Sequence, residues 1–204
     1  KYQIKEGSGR KKALNKKQLK AIANYSDGNE FTEFYRDLWL FIYFCNGINV
    51  ADLINLKFSD IQNGEISFIR QKTKDRTRDS KRIYAPITPE MQSIIDKWGN
   101  NPRKSTYIFP FMKAGDDAWE HEKKKKNLTK HINDRMKVIG EKLNIGKITT
   151  YVARHTYATV LRNEGVPVAI ISPMLGHTSI TTTEIYLADL ESENRARNAH
   201  LLSF

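Results

Sequence analysis

The stretch that decides the fold lies in the last third of the chain and reads Ala153-Arg154-His155-Thr156-Tyr157-Ala158-Thr159. Apolar residues at helical spacing predict three short helices in this third, at roughly 152–164, 167–175 and 181–190. The turn Leu175-Gly176-His177 follows the second of them, and Tyr186 lies nine positions beyond His177.

The rest of the chain is also mostly helical in pattern. Apolar periodicity and capping residues predict helices at 15–25, 30–46, 50–56, 89–98 and 118–143, the last interrupted near Asn127 and Leu128. Alternation at 65–70 and again at 82–87 predicts a β-hairpin with a long basic tip, and 104–111 adds a short extended piece. We therefore predict an α+β fold, mostly α-helical with one small antiparallel β-sheet.

Charge is the most informative feature of the composition. Lys and Arg outnumber acidic residues 34 to 23, which gives a formal net charge of +11 and a pI near 9.6. Basic side chains that neutralise DNA phosphates release condensed counterions, which favours binding. Proteins that bind a duplex therefore carry basic surfaces. Composition alone leaves the partner open, since many basic proteins bind no nucleic acid.

Several classes of protein are disfavoured by what the sequence lacks. The longest uncharged apolar stretch, Leu38–Ile48, is too short to cross a bilayer. Cys45 is the single cysteine and the five His are scattered, so we predict no disulfide and no metal site. Neither a G-x-G-x-x-G nor a Lys-containing phosphate loop occurs, and we predict no cofactor and no small-molecule substrate.

The spacing in the last third resembles the tyrosine recombinase, or phage integrase, family. In that family an Arg-His-Thr segment opens a helix, a Leu-Gly-His turn follows, and a nucleophilic Tyr lies nine positions beyond the His. The turn at Gly165-Val166-Pro167 and the Ser/Thr-rich segment 179–183 fit the same pattern. The resemblance covers about residues 15–195 and implies the family's catalytic-domain fold, with Tyr186 as nucleophile and Arg154 and His177 as catalytic partners.

The resemblance reaches upstream, with two departures. Residues 47–53 resemble the family's first box, but Asn49 stands where the family has its first catalytic Arg. Tyr151 replaces the His of the His-x-x-Arg box, and either a hydrogen bond to phosphate or simple packing fits it. Lys72 matches the family's Lys on the hairpin turn. Some integrases from mobile elements of Bacteroidetes-type bacteria, which this chain resembles, also lack the first Arg.

These residue types suit the cleavage of a phosphodiester without a metal. A phenol has a pKa of about 10, so Tyr186 needs a neighbouring base or cation to become a nucleophile. Arg154 offers a planar fork of donors to two nonbridging phosphate oxygens, where charge develops in the transition state. Lys72 is the candidate to protonate the leaving 5′ oxygen.

Asn49 leaves two interpretations open. Its neutral hydrogen bonds are about half as strong as the charge-assisted bonds of an Arg, which is typical of a degenerate enzyme. Alternatively, a nearby Arg36, Arg70 or Arg76 supplies the charge from another position, and we favour retained activity because the other catalytic residues are present.

Further residues are predicted to contact DNA. We assign Lys74, Arg76 and Arg82 of the hairpin to the phosphate backbone, and His155 and Thr156 to DNA as well. The run 123–126 consists of four Lys, and we favour a solvated face over a backbone contact.

The resemblance implies a site-specific recombinase or integrase that forms a 3′-phosphotyrosyl intermediate. The alternatives are a catalytically degenerate DNA-binding protein of the same fold and a type IB topoisomerase-like enzyme. The expected partners are double-stranded DNA and further copies of the chain, four in the synaptic complex, in the bacterial cytoplasm. We expect a basic linker at 1–14 from a preceding DNA-binding domain, a catalytic domain at 15–190, and a tail at 191–204 that docks on a neighbouring protomer.

Overall fold

The computed structural model describes residues 13–72, 82–103, 106–177 and 179–187, with Tyr186 described by its backbone alone. The helices of this part are α1 Lys16–Ala23, α2 Glu30–Phe44, α3 Val50–Leu53, α4 Pro89–Trp98, α5 Ala118–Lys142, α6 Thr150–Asn163, α7 Val168–Met174 and α8 Ile180–Leu187. The strands are β1 Ile61–Gln62, β2 Glu65–Phe68 and β3 Ile83–Pro86. The predicted fold class, mostly helical with one small antiparallel sheet, is confirmed.

Side-chain caps fix where most of the helices begin. Each capping residue is extended, and its oxygen accepts a hydrogen bond from a backbone N–H of the first helical turn. The caps are Asn15, Asn29, Thr88, Asp117 and Thr149. Short polar side chains at these positions therefore set the helix starts to within a residue or two of the prediction.

Helix α2 is the centre of the main core. It packs against α4, α5 and α6, and Leu38, Trp39, Phe41 and Ile42 are fully buried. The indole of Trp39 also donates to the Thr149 carbonyl at 2.8 Å, which ties α2 to the start of α6. A smaller cluster under α7 and α8 contains Ile171, Leu175 and Leu187. The helix that carries Arg154 thus packs on the central helix of the main core.

The sheet is antiparallel with the order β1-β2-β3, and Ile66 pairs with both Ile61 and Ala85. Strand β1 was not predicted, because two residues are too few for an alternating pattern. The turn before β2, Asn63-Gly64, has positive φ at both residues (52° and 77°), as a tight hairpin requires. Asn-Gly is a strong hairpin signal, and it was the sequence feature that could have revealed β1.

Two helix predictions need correction. Helix α5 continues through Asn127 and Leu128 without interruption, because Leu128 is buried on the same face as Ile132 and Met136 while Asn127 is exposed. Helix α3 ends at Leu53 and not near Leu56.

Within the described residues, no helix has the length and apolar character needed to cross a membrane.

The segment predicted as extended at 104–111 is only partly so. Tyr107 forms an isolated antiparallel bridge with Lys57, and the Ile108 N–H donates to the Leu56 carbonyl at 2.7 Å. Residues 104 and 105 lie outside the described part. This bridge holds the residues after α3 in place beside the sheet.

Candidate active site

Arg154 is the centre of the candidate site. It lies on α6, is only 6% exposed, and its Nη1 donates to the Gly47 carbonyl at 2.9 Å. Its Nη2 donates to the Leu175 carbonyl and lies 3.1 Å from Nε2 of His177. The guanidinium therefore joins the turn after α2 to the turn after α7, and brings the first predicted box together with the Leu-Gly-His turn.

Gly47 leaves room for the backbone and the aliphatic part of Arg154. Its φ is +63°, and a Cβ built there would lie 2.7 Å from the Arg154 Cα, a backbone atom that cannot move alone. A side chain at position 47 would meet both a strained backbone conformation and α6 itself. Glycine at this position is therefore a requirement of the site.

Replacing Gly47 by Ala is expected to displace Arg154 and lower both stability and DNA cleavage. The left-handed conformation alone costs a non-glycine residue about 1–2 kcal/mol, and the contact with α6 adds to this cost. The matched control is Gly28→Ala, because Gly28 has a φ of +75° but nothing within 4 Å of a built Cβ. Denaturant unfolding should show a clearly larger loss for Gly47→Ala, and equal losses would contradict the prediction.

His177 follows α7, and its ring is held from two sides. Its Nδ1 lies 2.8 Å from the Thr183 hydroxyl of α8, and its Nε2 faces the Arg154 guanidinium, which only donates. Nε2 is therefore the acceptor, and Nδ1 carries the proton and donates to Thr183. Burial, followed by the positive charges of Arg154 and Arg70, lowers the pKa of His177 to about 4. The ring is neutral at pH 7, and its Nε2 carries no proton.

The lowered pKa of His177 predicts a pH-dependent stability. Between pH 6.5 and about 4 the unfolded imidazole takes up a proton and the folded one does not, so stability falls as pH falls through this window. Denaturant midpoints across the window should therefore drop more steeply for the wild type than for His177→Gln. Parallel curves for the two proteins would contradict the assigned pKa.

The backbone of Tyr186 lies in α8, three residues after Thr183, which is the partner of His177. Its side chain is outside the described part. At the last residue of helix α8, the Leu187 carbonyl lies 3.4 Å from Nη1 of Arg162. The structure therefore brings the element that carries Tyr186 to Arg154 and His177, and the role of Tyr186 stays a prediction.

The hairpin residues fall at the edge of what the structure describes. Lys72 is exposed just after β2, and residues 73–81, including Lys74 and Arg76, lie outside the described part. Arg82 is exposed, and its Nη1 lies 3.1 Å from the Ser67 hydroxyl across the hairpin. The roles predicted for these residues stay predictions.

His155 and Thr156 are not placed for direct contact with DNA. Both are fully buried, and the Thr156 hydroxyl accepts the Leu14 N–H at 3.0 Å. The His155 ring stacks on Tyr151, with 6.1 Å between centroids, and Tyr151 is half exposed in the first turn of α6. We correct the prediction for His155 and Thr156, which pack inside the fold because α6 is surrounded on all sides along residues 152–159.

The lysine run on α5 is engaged in local contacts. Lys124 pairs with Asp116 at 2.5 Å, Lys125 and Lys126 pair with Glu122, and Lys123 lies 4.7 Å from the Trp119 ring centroid. These neighbours favour the interpretation of the run as a solvated face.

Asp52 belongs to the site and its importance was missed from the sequence. It is 4% exposed, and its carboxylate accepts the Gln71 N–H at 2.7 Å and faces the Asn49 amide at 3.5 Å. Burial raises the pKa of Asp52, and the Gln71 bond and the charge of Arg70 oppose this rise. Its spacing of three residues from Asn49 on a helix start was the signal that could have found it.

Comparison with solved structures identifies the fold class. The XerH site-specific recombinase bound to a palindromic difH substrate aligns with a TM-score of 0.66 at 17% identity, over 98% of this chain and 55% of that one. The Tn1549 transposon integrase, in complex with a circular intermediate DNA, aligns with a TM-score of 0.61 at 17% identity, over 95% and 68%. The fold is that of the tyrosine recombinase catalytic domain.

Sequence comparison then gives the family. The model of the phage integrase family matches residues 3–193, and the chain belongs to this family. The tyrosine recombinase XerA of Pyrococcus furiosus is 30% identical over 153 residues, which are 73% of this chain and 48% of that protein. The chain thus spans about half the length of this relative.

Proposed function

We propose that this chain is the catalytic domain of a site-specific recombinase that cuts and rejoins double-stranded DNA through a 3′-phosphotyrosyl bond to Tyr186. The observation that carries the proposal is the connection of Arg154, His177 and Thr183, which links α6, the turn after α7 and the helix that holds Tyr186. These three elements follow one another in the chain, and the chemistry of phosphodiester cleavage needs their side chains together.

In the proposed step the phenolic oxygen of Tyr186 attacks phosphorus and forms a bond to it, while the bond from phosphorus to the 5′ oxygen breaks. The phenol proton passes to His177, whose ring is neutral at pH 7. Arg154 stabilises the charge on the nonbridging oxygens, and Lys72 gives a proton to the leaving oxygen. Attack by a second strand's 5′ hydroxyl on the phosphotyrosine reverses these bond changes and rejoins the DNA without ATP.

The hydrogen bonds of Arg154 within the protein support its role in stabilising charge on the phosphate. Its hydrogen bonds to the carbonyls of Gly47 and Leu175 fix the guanidinium plane before any substrate arrives. A preorganised cation in a buried site stabilises developing negative charge better than one that must first be oriented. DNA binding therefore does not have to supply the energy to position this group.

The partners and setting follow from the proposal. DNA is supported by the net charge of +11 and by the DNA complexes of similar proteins. We propose that copies of the chain assemble on DNA as a tetramer, with residues 15–190 as catalytic domain and 191–204 as docking tail, in the bacterial cytoplasm. A segment corresponding to 1–14 would link this unit to a DNA-binding part.

A catalytically silent DNA-binding protein is the second candidate, and Asn49 is the observation in its favour. The Asn49 amide faces Asp52 at 3.5 Å and brings no positive charge to the site. A type IB topoisomerase-like enzyme would share the chemistry but relax supercoiled plasmid as a monomer without sequence preference.

One experiment separates these functions. The protein is incubated with a library of nicked duplexes that have a randomised core, so that the short fragment carrying the freed 5′ hydroxyl diffuses away and the covalent adduct accumulates. Adducts that survive denaturing detergent are recovered, and their DNA is sequenced. Recovery of one enriched sequence supports the recombinase, an adduct without enrichment supports the topoisomerase, and binding without any adduct supports the silent protein.

A further inference from the structure

We propose that Arg70 supplies the second guanidinium of the active site, in place of the Arg that the family has at the position of Asn49. This role rests on the proposed function, because it concerns the same cleavage step. It names the residue that compensates for the most serious departure of this chain from its family.

The position of Arg70 supports this role. It lies two residues beyond the end of β2, and its Nη1 donates to the Gly176 carbonyl at 2.8 Å. Arg154 donates to the Leu175 carbonyl, which is the preceding one in the chain. Two guanidinium groups from separate elements therefore donate hydrogen bonds to consecutive backbone carbonyls, those of the two residues before His177.

Gly176 is shaped to receive the Arg70 side chain. Its φ is +65°, and a Cβ built there would lie 2.4 Å from the Arg70 Cδ and 2.4 Å from the Ile83 Cδ1. The aliphatic part of Arg70 thus lies against the bare backbone of the Leu-Gly-His turn. This close approach holds the charged end of Arg70 beside His177, and a Cβ at position 176 would have to displace the Arg70 and Ile83 side chains.

The charge distribution agrees with this placement. Arg154 and Arg70 both act on the His177 ring, and both act on the buried Asp52 carboxylate. Asp52 also accepts the N–H of Gln71, the residue after Arg70, at 2.7 Å. Asp52 is therefore a positioning residue that anchors the end of β2 to α3, and the two cations share one site around it.

The other arginines considered for this role differ from Arg70 in position. Arg36 is a buried residue of α2, where its Nη2 pairs with Asp37 at 2.6 Å and its Nη1 donates to the Tyr25 carbonyl. These partners hold it in the helical core under α4, near Trp98. Arg76 lies outside the described residues. Among the described candidates, Arg70 is the one that reaches the turn of His177.

The test measures cleavage of the enriched duplex by Arg70→Ala, Arg70→Gln and Arg70→Lys in single turnover. Arg70→Gln retains an N–H donor for the Gly176 carbonyl without the charge, so it decides the question if Arg70→Ala does not fold. The matched control is Arg103→Ala, which removes one positive charge from an exposed position. Duplex affinity is measured separately with the same changes in a Tyr186→Phe background.

We expect Arg70→Ala and Arg70→Gln to slow cleavage by about 100-fold to 1000-fold, as loss of one transition-state donor does. The cleavage rate of Arg70→Lys should lie between the rates of these two variants and that of the wild type. Arg103→Ala should cleave at the wild-type rate. Affinity for the duplex should change far less than the rate.

A substrate with a methylphosphonate at the scissile position distinguishes a catalytic role of Arg70 from a purely structural one. Its methyl group replaces one nonbridging oxygen and removes the negative charge that Arg70 is proposed to neutralise. The defect of Arg70→Gln should therefore shrink at least about tenfold on this substrate. Adding Asn49→Arg to the Arg70→Gln protein should also restore part of the cleavage rate on ordinary DNA.

Two results would overturn the role of Arg70. The first is wild-type cleavage by Arg70→Gln, and the second is an equal defect on the phosphate and methylphosphonate substrates. If instead the wild type forms no adduct with any duplex, the proposed function fails and this role fails with it. The wild-type reaction thus distinguishes the two failures.

Discussion

Tyr186→Phe is expected to abolish the covalent adduct with DNA completely. The substitution removes a single oxygen, and that oxygen is the atom that would bond to phosphorus, so no residual adduct is expected at any DNA concentration. Binding of the enriched duplex should remain, because phosphate contacts by the basic surface supply most of the affinity. The measurement is a denaturing gel of labelled nicked duplex, run beside a native gel that reports binding.

Tyr84→Phe is the matched control, since Tyr84 is an exposed tyrosine of β3, 54% accessible, with the same change of one hydroxyl. It should form adduct at the wild-type rate. Persistence of the adduct in Tyr186→Phe would mean that another side chain is the nucleophile. Tryptic mapping of the wild-type adduct would then identify it, and the nine-residue spacing from His177 would lose its meaning.

Much of the fold follows from local signals in the sequence. Asn15, Asn29, Thr88, Asp117 and Thr149 all cap helices where a polar residue precedes an apolar period. The errors arose where local signals conflict with packing. Asn127 suggests a break in α5, but burial of Leu128 carries the helix through it, because tertiary packing outweighs a weak propensity of about 0.7 kcal/mol or less.

The sequence indicates the residue types of the candidate site but not its long-range contacts. Motif spacing located Arg154 and His177, which the structure places 3.1 Å apart. Their immediate neighbours were assigned wrongly, because a helix that is buried all round has no periodicity to show which face meets a ligand. The approach of Arg70 to Gly176 spans 106 residues of sequence and depends on how the hairpin packs on the α7 turn, which no local pattern encodes.

Arg154→Ala is expected to slow cleavage by about 1000-fold or more and to destabilise the fold. The first effect combines the loss of the phosphate clamp, about 100-fold to 1000-fold for one donor, with loss of the group beside His177 Nε2. The second arises because Arg154 is the donor to the buried turn carbonyls of Gly47 and Leu175. Leaving such a carbonyl without its donor costs about 1–3 kcal/mol.

Arg154→Lys separates the charge of Arg154 from its geometry. A Lys retains the positive charge but lacks the planar fork that reaches the two carbonyls and a phosphate at once, so it should recover little of the cleavage rate. Cleavage rates are compared at a temperature well below the thermal unfolding midpoint of each variant. Arg103→Ala is the control for loss of one exposed charge. Near wild-type cleavage by Arg154→Lys would show that the site needs charge alone, because a point charge at this position cannot reproduce the two-turn connection that the Arg154 guanidinium makes.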